Sequence, residues 1–175
     1  MQKGVVRKRR PGKPSEYGLQ LQAKQELKRE YGLRELQFKN GVKKILNEKN
    51  RKEDASLLLV RNLERRLDNA VFRIGLAKTR EQGRQIVGHG HIVVNGKGLN
   101  IPSHLVKKGD IISLAPLAAK KGLFKDIKDT ISKYQPPSWI TLDKEKVEGT
   151  IAELPTLEHI QITVDIPIVF EFYSR

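Results

Sequence analysis

Apolar residues recur at helical spacing along the first part of the chain. Ala23, Leu27 and Tyr31 lie four apart and follow Ser15, whose hydroxyl suits a helix N-cap. Gly32 comes directly after the last of them, and glycine is a typical residue at a helix end. The pattern therefore predicts a first helix from about residue 15 to Gly32.

Two further helices are predicted before residue 76. The second runs from Leu33 to about Asn50 and has one apolar and one basic side. The third starts near Asp54 and continues to Gly75, because its apolar residues keep a spacing of three and four. The apolar positions are Phe38, Val42, Ile45 and Leu46 in the second helix and Val60, Leu63, Leu67, Val71 and Ile74 in the third; the basic side comprises Lys39, Lys43 and Lys44.

The middle of the chain changes from helix to a small sheet. Thr79 followed by Gln82 has the form of a capping box, which predicts a short helix ending at the glycines of residues 88–90. The turn pair Asn95-Gly96 within residues 92–101 is typical of a tight β-hairpin. A turn at residues 108–110 and a strand at 111–114 follow.

The last third mixes one helix with extended segments. Leu123, Ile127, Ile131 and Tyr134 predict an amphipathic helix that closes at Pro136 and Pro137, and residues 139–142 and 160–166 have the pattern of strands. The whole chain is predicted to be α+β, a helical N-terminal domain with an inserted module of helices and a small antiparallel sheet. The predicted divisions are a basic arm at 1–14, a helical part at 15–64, the module at 65–115 and a completing segment at 116–175.

The charge of the chain indicates a polyanionic partner. Lys and Arg number 34 against 20 Asp and Glu, which gives a formal net charge of +14. Residues 1–121 carry 28 basic and 11 acidic side chains, whereas residues 122–175 carry 6 basic and 9 acidic side chains. No apolar run is long enough to span a bilayer, no secretory signal follows the basic start, and the absence of cysteine excludes disulfides and thiolate metal sites. Nucleic acid is therefore the expected partner, and a cytoplasmic location is expected.

The basic residues of segment 66–97 are the candidate binding site. Arg66 and Arg73 lie seven apart on the predicted third helix, Arg80 and Arg84 share a face of the next, and Lys97 lies in the hairpin. Paired guanidinium groups can hold phosphates, while Gln85, His89 and Asn95 offer hydrogen bonds to ribose or exposed bases. The alternative is that these are ordinary solvated charges on helix surfaces.

Several strings resemble a known family. The run Arg66-Leu67-Asp68-Asn69 with Arg73, Thr79-Arg80, Arg84-Gln85, His89 and Val94-Asn95-Gly96 resembles the S-four (S4) RNA-binding motif. The flanks resemble bacterial ribosomal protein S4: Ser15-Glu16-Tyr17-Gly18, Lys24-Gln25 and Tyr31-Gly32 before the motif, and Pro137-Ser138-Trp139, Glu148-Gly149-Thr150 and the final Phe172-Tyr173-Ser174-Arg175 after it. The likeness extends from about Arg9 to the last residue.

This resemblance implies a structural constituent of the small ribosomal subunit. Members of the family bind the 5′ domain of 16S rRNA, act early in assembly, contact small-subunit ribosomal protein five, and contribute to the mRNA entry path and translational accuracy. Many also repress translation of their own operon. The expected rRNA-binding residues are Tyr17, Lys24, Lys28, Arg66, Arg73, Lys78, Thr79, Arg80, Arg84, Gln85, His89, Asn95 and Lys97, and those expected near mRNA are Arg9, Arg10 and Lys13. The family's additional N-terminal stretch, which in some members carries zinc-binding cysteines, is missing here, so zinc is not expected.

Other functions have weaker support in the sequence. Arg66-Leu67-Asp68 is similar to the run that holds the catalytic aspartate of pseudouridine synthases, but no catalytic domain follows it. A stand-alone quality-control factor would not need both flanks. His89 and His91 lack nearby metal ligands, the glycines lack phosphate-loop spacing, and Trp139 more often packs than stacks on a base. No enzyme activity, cofactor, metal, membrane or small-molecule substrate is expected, and replacing Arg80 and Arg84 with alanine is expected to weaken rRNA binding by more than about tenfold with the fold intact.

Overall fold

Eight α-helices and one five-stranded antiparallel sheet form the part of the chain that the computed structural model describes, residues 15–48, 52–119, 122–160 and 162–174. The predicted α+β class is confirmed. The predicted basic arm, with Arg9, Arg10 and Lys13, lies outside the described residues. The helices are α1 Glu16–Glu30, α2 Glu35–Leu46, α3 Ala55–Glu64, α4 Leu67–Ile74, α5 Arg80–Gly88, α6 Pro116–Ala119, α7 Ile127–Lys133 and α8 Ile166–Ser174; the strands are β1 Ile92–Val94, β2 Lys97–Gly98, β3 Ile111–Leu114, β4 Ile140–Asp143 and β5 Glu148–Ile151.

Helices α1, α2, α3 and α8 pack into a helical lobe with its own core. Ser15 caps α1 by accepting a hydrogen bond from the Gly18 N–H at 3.2 Å, and Asp54 caps α3 in the same way. The apolar sides of these helices are buried against one another. The core comprises Leu27, Tyr31, Leu33, Phe38, Val42, Ile45, Leu59, Val60, Leu63, Ile160, Val164, Ile166, Val169 and Phe170.

The sheet, α4 and α5 form a second lobe, the sheet lobe. The strand order is β2-β1-β3-β5-β4, and all neighbours are antiparallel. The hairpin turn is as predicted, with Asn95 and Gly96 at φ 52° and 77°. The predicted cap at Thr79 also forms, since its hydroxyl accepts from the Gln82 N–H at 3.1 Å, while Gln82 Oε1 accepts from the Lys78 N–H at 2.6 Å. The core comprises Leu67, Ala70, Val71, Ile74, Leu76, Ala77, Ile86, Val87, Ile92, Val94, Val106, Ile112, Ala118, Phe124, Ile131, Trp139, Ile140, Val147 and Ile151.

The predicted third helix is wrong, because the chain breaks into α3 and α4. Arg66 is extended, with ψ 138°, although the apolar spacing continues across it. The N–H groups of Leu67 and Asp68 donate to the carbonyls of His104 and Pro102 at 2.8 and 3.1 Å, instead of to the preceding helical turn. The loop that contains Pro102 and His104 thus accepts the hydrogen bonds that would otherwise continue the helix. Arg66 and Arg73 therefore do not lie on one helix.

The C-terminal prediction needs three corrections. The described residues 160 and 162–165 form no strand; Ile160 and Val164 are buried in the helical lobe, and α8 begins at Ile166 with Pro167 in its first turn, where its missing N–H costs nothing. The helix predicted from Leu123 begins at Ile127, after a 3₁₀ turn over Gly122–Phe124. Strand β5 was not predicted.

Strand β5 depends on a close approach between the sheet and α4. A Cβ on Gly149 would lie 2.5 Å from Ile74 Cγ1, so only glycine lets the strand pair with β3 at this position. Trp139, just before β4, is 1% exposed and belongs to the core of the sheet lobe. This agrees with the prediction that Trp139 packs in the protein interior. Within the described ranges, no helix is both long and apolar enough to cross a membrane.

Candidate RNA-binding surface

Four arginines lie together where the two lobes meet. Arg66 precedes α4, Arg73 lies on α4, and Arg80 and Arg84 lie one turn apart on α5. We call this set the arginine seam. Its side chains are between 12% and 29% exposed, and each one forms an ion pair with an acidic residue. They are therefore not freely solvated charges, and each guanidinium group already has an acidic partner within the protein.

The carboxylate of Glu64, at the end of α3, is the buried acceptor at the centre of the seam. It is 0% exposed and accepts from the Tyr31 hydroxyl at 2.7 Å, Asn69 Nδ2 at 2.8 Å, and Arg73 Nη2 and Nε at 2.7 and 3.0 Å. Burial opposes ionisation of Glu64, but the hydrogen bonds and charge of Arg73 outweigh it and lower the pKa of the carboxyl. Glu64 is therefore ionised, and both of its carboxylate oxygens accept hydrogen bonds.

Asp68 is the second buried acceptor. Its carboxylate accepts from Arg66 Nε and Nη2 at 3.0 and 2.8 Å, from Arg84 Nε at 2.9 Å and from the Asn69 N–H at 2.9 Å. The remaining nitrogens of Arg84 donate to the carbonyls of Tyr31, at 3.3 Å, and Gly32. Arg84 consequently links α5 of the sheet lobe to the end of α1 in the helical lobe.

Arg80 reaches both lobes as well. Its Nε donates to Asn69 Oδ1 at 2.8 Å, and its Nη2 lies 3.5 Å from a carboxylate oxygen of Glu30. The guanidinium carbon lies 4.7 Å from the ring centroid of Tyr31 and 5.0 Å from that of Phe72, which is cation–π geometry. Burial raises the pKa of Glu30 despite the nearby charge of Arg80. Arg80 is thus held by a hydrogen bond, an ion pair and two aromatic rings.

The geometry of the ion pairs leaves part of the seam available to a ligand. Arg66 and Arg73 meet their carboxylates with the Nε–Nη2 edge. Within the described residues, no hydrogen bond occupies Nη1 of Arg66, Arg73 or Arg80. A guanidinium held on one edge can donate from the other, and phosphate oxygens are suitable acceptors. The seam can therefore present fixed cationic donors to an RNA backbone.

The other predicted residues of the sheet lobe divide into exposed and structural side chains. Lys78, Gln85, His89 and Lys97 are exposed on or next to α5 and on β2. Thr79 is exposed but serves as the α5 cap. Asn95 is exposed too, yet its amide donates to Asp110 Oδ1 and accepts from the Ile111 N–H, both at 2.9 Å, so it fastens the hairpin to β3.

In the helical lobe, the three predicted residues have different surroundings. Tyr17 is 53% exposed, with its ring centroid 5.7 Å from that of Phe172. Lys24 is only 5% exposed, pairs with Glu35 at 2.8 Å and lies 4.6 Å from the Phe172 ring. Lys28 also pairs with Glu35, at 3.0 Å. Lys24 is therefore largely buried, at the base of a groove of about 620 Å³ that Lys28, Lys39 and Lys43 also line. Tyr17 is not among the residues that line this groove.

Sequence reasoning missed the acceptors of the seam. Tyr31 was predicted only as a core residue, and Glu64 and Asn69 were given no role of their own. One signal was present for Glu64, because it lies four residues after Val60 and so falls on the apolar stripe of α3. A charged residue on such a stripe requires a buried partner.

Asp68 does not present a reactive carboxylate to solvent. Its side chain is 3% exposed and engaged by two guanidinium groups, so it lacks the access that an acid, base or nucleophile needs. Among the described residues, no group of three histidine, cysteine, aspartate or glutamate side chains could hold a metal ion. The side chain of His89 is exposed, with its ring centroid 5.9 Å from that of His91.

Comparison with known proteins assigns a family. Residues 1–64 match the model of the ribosomal protein S4/S9 N-terminal domain, and residues 65–112 match that of the S4 domain. The chain is 44% identical over 167 residues to small ribosomal subunit protein uS4 of Halothermothrix orenii, covering 95% of this chain and 79% of that protein. It is 42% identical to uS4 of Syntrophomonas wolfei, covering 93% and 77%, and 43% identical to uS4 of Aquifex aeolicus, covering 93% and 77%. The chain belongs to the uS4 family.

The two matched regions of this uS4-family chain meet at the break between α3 and α4. The first ends at Glu64 and the second begins at Arg65. The four arginines of the seam lie within the S4 domain. Three of the residues that they contact, Glu30, Tyr31 and Glu64, belong to the N-terminal region. The seam is consequently shared between the two matched regions.

Proposed function

We propose that this protein is a structural constituent of the small ribosomal subunit and binds the 5′ domain of 16S rRNA. The observation behind the proposal is the arginine seam, which holds four guanidinium groups in fixed positions. In three of them, Arg66, Arg73 and Arg80, no hydrogen bond within the described residues occupies Nη1. The exposed side chains of Lys78, Gln85, His89 and Lys97 are further RNA contacts in this proposal. The relatives are small ribosomal subunit proteins, which makes structured rRNA the polyanion that fits best.

A second contact with RNA lies in the helical lobe. Lys28, Lys39 and Lys43 border the groove between α1, α2 and α8, and the exposed ring of Tyr17 lies near one end of α1. Lysines hold phosphates as point charges, while an exposed aromatic ring offers a surface on which an unpaired base can stack. In this proposal both lobes contact one RNA.

The finer roles rest on the family resemblance. The protein acts early in small-subunit assembly, contacts small-subunit ribosomal protein five, and contributes to the mRNA entry path and to translational accuracy in the cytoplasm. Arg9, Arg10 and Lys13 are the residues proposed to lie near mRNA. No catalytic step, small-molecule substrate or membrane belongs to this proposal.

A binding titration across a salt series tests the proposal. The protein is titrated against the 5′ domain of 16S rRNA and against an unrelated structured RNA of equal length. We expect tighter binding to the rRNA at every salt concentration, with a slope of log affinity against log salt of about −0.9 per duplex phosphate neutralised. Equal affinity for the two RNAs would reject specific rRNA binding.

A matched pair of variants locates the contact. Arg73→Ala removes a residue of the seam, and Arg29→Ala removes an exposed arginine of α1 that lies outside it. Arg73→Ala is expected to weaken rRNA binding by about tenfold or more, the size of one charge-assisted hydrogen bond. Equal effects of the two variants would place the contact elsewhere on the molecule.

A further inference from the structure

We propose that Glu64 is a positioning residue for RNA binding: it orients the guanidinium groups of Arg73 and Arg80 toward the phosphate backbone. The inference rests on the proposed function and adds a role for an acidic residue that RNA itself would repel. Glu64 is 0% exposed, so it does not touch RNA and acts only through the arginines.

The hydrogen-bond pattern fixes Arg73 directly. Glu64 Oε1 accepts from Tyr31 and from Arg73 Nη2, and Oε2 accepts from Asn69 and from Arg73 Nε, at distances from 2.7 to 3.0 Å. Each carboxylate oxygen therefore has two donors. A two-point contact with one edge of a planar guanidinium determines both the position and the plane of the group. The opposite edge then points away from Glu64.

The same carboxylate fixes Arg80 through one intermediate. Asn69 Nδ2 donates to Glu64 Oε2 at 2.8 Å and to the Glu64 carbonyl at 2.9 Å, and this sets which side of the Asn69 amide carries its oxygen. That oxygen accepts from Arg80 Nε at 2.8 Å. Arg80 Nη2 also lies 3.9 Å from Glu64 Oε1. The orientation of two arginines is consequently tied to one buried side chain.

Because these arginine side chains are held in place before binding, less conformational entropy is lost when RNA binds. A free arginine side chain loses rotamer entropy when it binds, and a group already held in place loses less of it. Tyr31 approaches Glu64 from the helical lobe, while Arg73 and Asn69 belong to α4 of the sheet lobe. Glu64 thus couples the orientation of the seam to the packing of the two lobes.

A purely structural role is the competing explanation, and Glu64→Asp separates the two. Aspartate keeps the negative charge but is one methylene shorter, so it cannot reach Arg73 and Asn69 in the same positions. If only the charge matters, Glu64→Asp binds RNA like the wild type. If position matters, the contribution of Arg73 to binding falls in this variant.

The experiment is a double-mutant cycle on rRNA binding. Wild type, Arg73→Ala, Glu64→Asp and the double variant are compared in the same salt series, after urea unfolding has established that each is folded at the assay temperature. In the wild type, Arg73→Ala should weaken binding by about tenfold or more and reduce the salt slope by about 0.9. In the Glu64→Asp background, the same substitution should cost less than about threefold. Glu53→Gln, which removes the exposed partner of Arg61, is the matched control and should leave the effect of Arg73→Ala unchanged.

The outcomes distinguish this proposal from the proposed function. An equal effect of Arg73→Ala in both Glu64 backgrounds would overturn the positioning role while leaving rRNA binding by the seam intact. Absence of rRNA binding by the wild type, or of any effect of Arg73→Ala, would overturn the proposed function itself. If Glu64→Asp is unfolded, Tyr31→Phe, which removes one of the four hydrogen bonds to the carboxylate, replaces it in the cycle. The same non-additivity is then expected at smaller size, and strict additivity would overturn the proposal.

Discussion

Replacing Arg84 with alanine tests whether the arginine seam holds the two lobes together. The Arg84 guanidinium bonds Asp68 at 2.9 Å and the carbonyls of Tyr31 and Gly32 at the end of α1, and its side chain is 29% exposed. The sequence led us to expect that loss of Arg80 and Arg84 would leave the fold intact. The contacts predict instead that removal of either residue destabilises the protein.

The expected loss of stability in Arg84→Ala depends on which contacts the partners of Arg84 keep. Removing one partner of a buried ion pair costs about 3–5 kcal/mol when the remaining charge is left alone. Asp68 keeps Arg66 and the Asn69 N–H, so its loss is nearer to one charge-assisted hydrogen bond, about 1.5–3 kcal/mol. Loss of the donor to the carbonyls of Tyr31 and Gly32, just after α1, adds about 1 kcal/mol. We therefore expect Arg84→Ala to lower the free energy of unfolding by about 3 kcal/mol.

Urea unfolding followed by circular dichroism measures this difference. The dependence of the free energy on urea concentration should stay the same, so that the change appears as a shift of the midpoint. Arg84→Lys should recover little, because an ammonium group cannot bond Asp68 and two carbonyls in the same plane. Arg29→Ala, at an exposed arginine of α1, should change stability by less than about 0.5 kcal/mol. An Arg84→Ala variant as stable as the Arg29→Ala control would refute the role of the seam in joining the lobes.

Four other substitutions have definite expected outcomes. Glu35 has its pKa lowered to about 2, because hydrogen bonds from two lysines and Tyr173 outweigh burial; its contribution is present above its ordinary pKa of 4.5 and is lost as pH falls toward 2. Thermal melts of wild type and Glu35→Gln should therefore differ above about pH 5 and converge toward pH 2. Gly83→Ala should destabilise by about 2 kcal/mol or more in urea unfolding, since its Cβ would lie 2.5 Å from the Asp68 carbonyl oxygen, whereas Gly41→Ala, with open space around it, should stabilise by about 0.5–1 kcal/mol. Asn95→Ala should cost about 1–2 kcal/mol in the same assay through the lost tie to β3, and an unchanged midpoint would contradict that role.

Features with local causes could be predicted from the sequence. Ser15, Asp54 and Thr79 cap helices because their side chains satisfy N–H groups two or three residues away, and Asn95-Gly96 forms its turn because these residues accept positive φ. Each of these interactions spans a few residues. They set the starts of α1, α3 and α5 and the turn between β1 and β2.

Features with distant causes could not be predicted. The break at Arg66 arises because His104 and Pro102 supply carbonyls to Leu67 and Asp68, and nothing near position 66 in the sequence indicates it. The alternation at residues 160–166 is equally compatible with a strand and with an irregular segment that buries every second side chain. The packing of α8 against α1 decides between them, and this contact joins the two ends of the chain.

The candidate site was found only in part. Basic residues at helical spacing correctly indicated that Arg80 and Arg84 share a face, but the sequence does not reveal which carboxylates lie opposite them. Lys24 was expected on the surface and is largely buried, because Glu35 and Phe172 enclose it from α2 and α8. Pairing across lobes depends on tertiary packing, which spacing along one helix does not encode.

A structure of the protein bound to the 5′ domain of 16S rRNA tests the central claim most directly. The account predicts phosphate oxygens about 3 Å from Nη1 of Arg73 or Arg80, with the hydrogen bonds between Arg73 and Glu64 still in place. An RNA that lies on another surface and leaves the arginine seam facing solvent would contradict it.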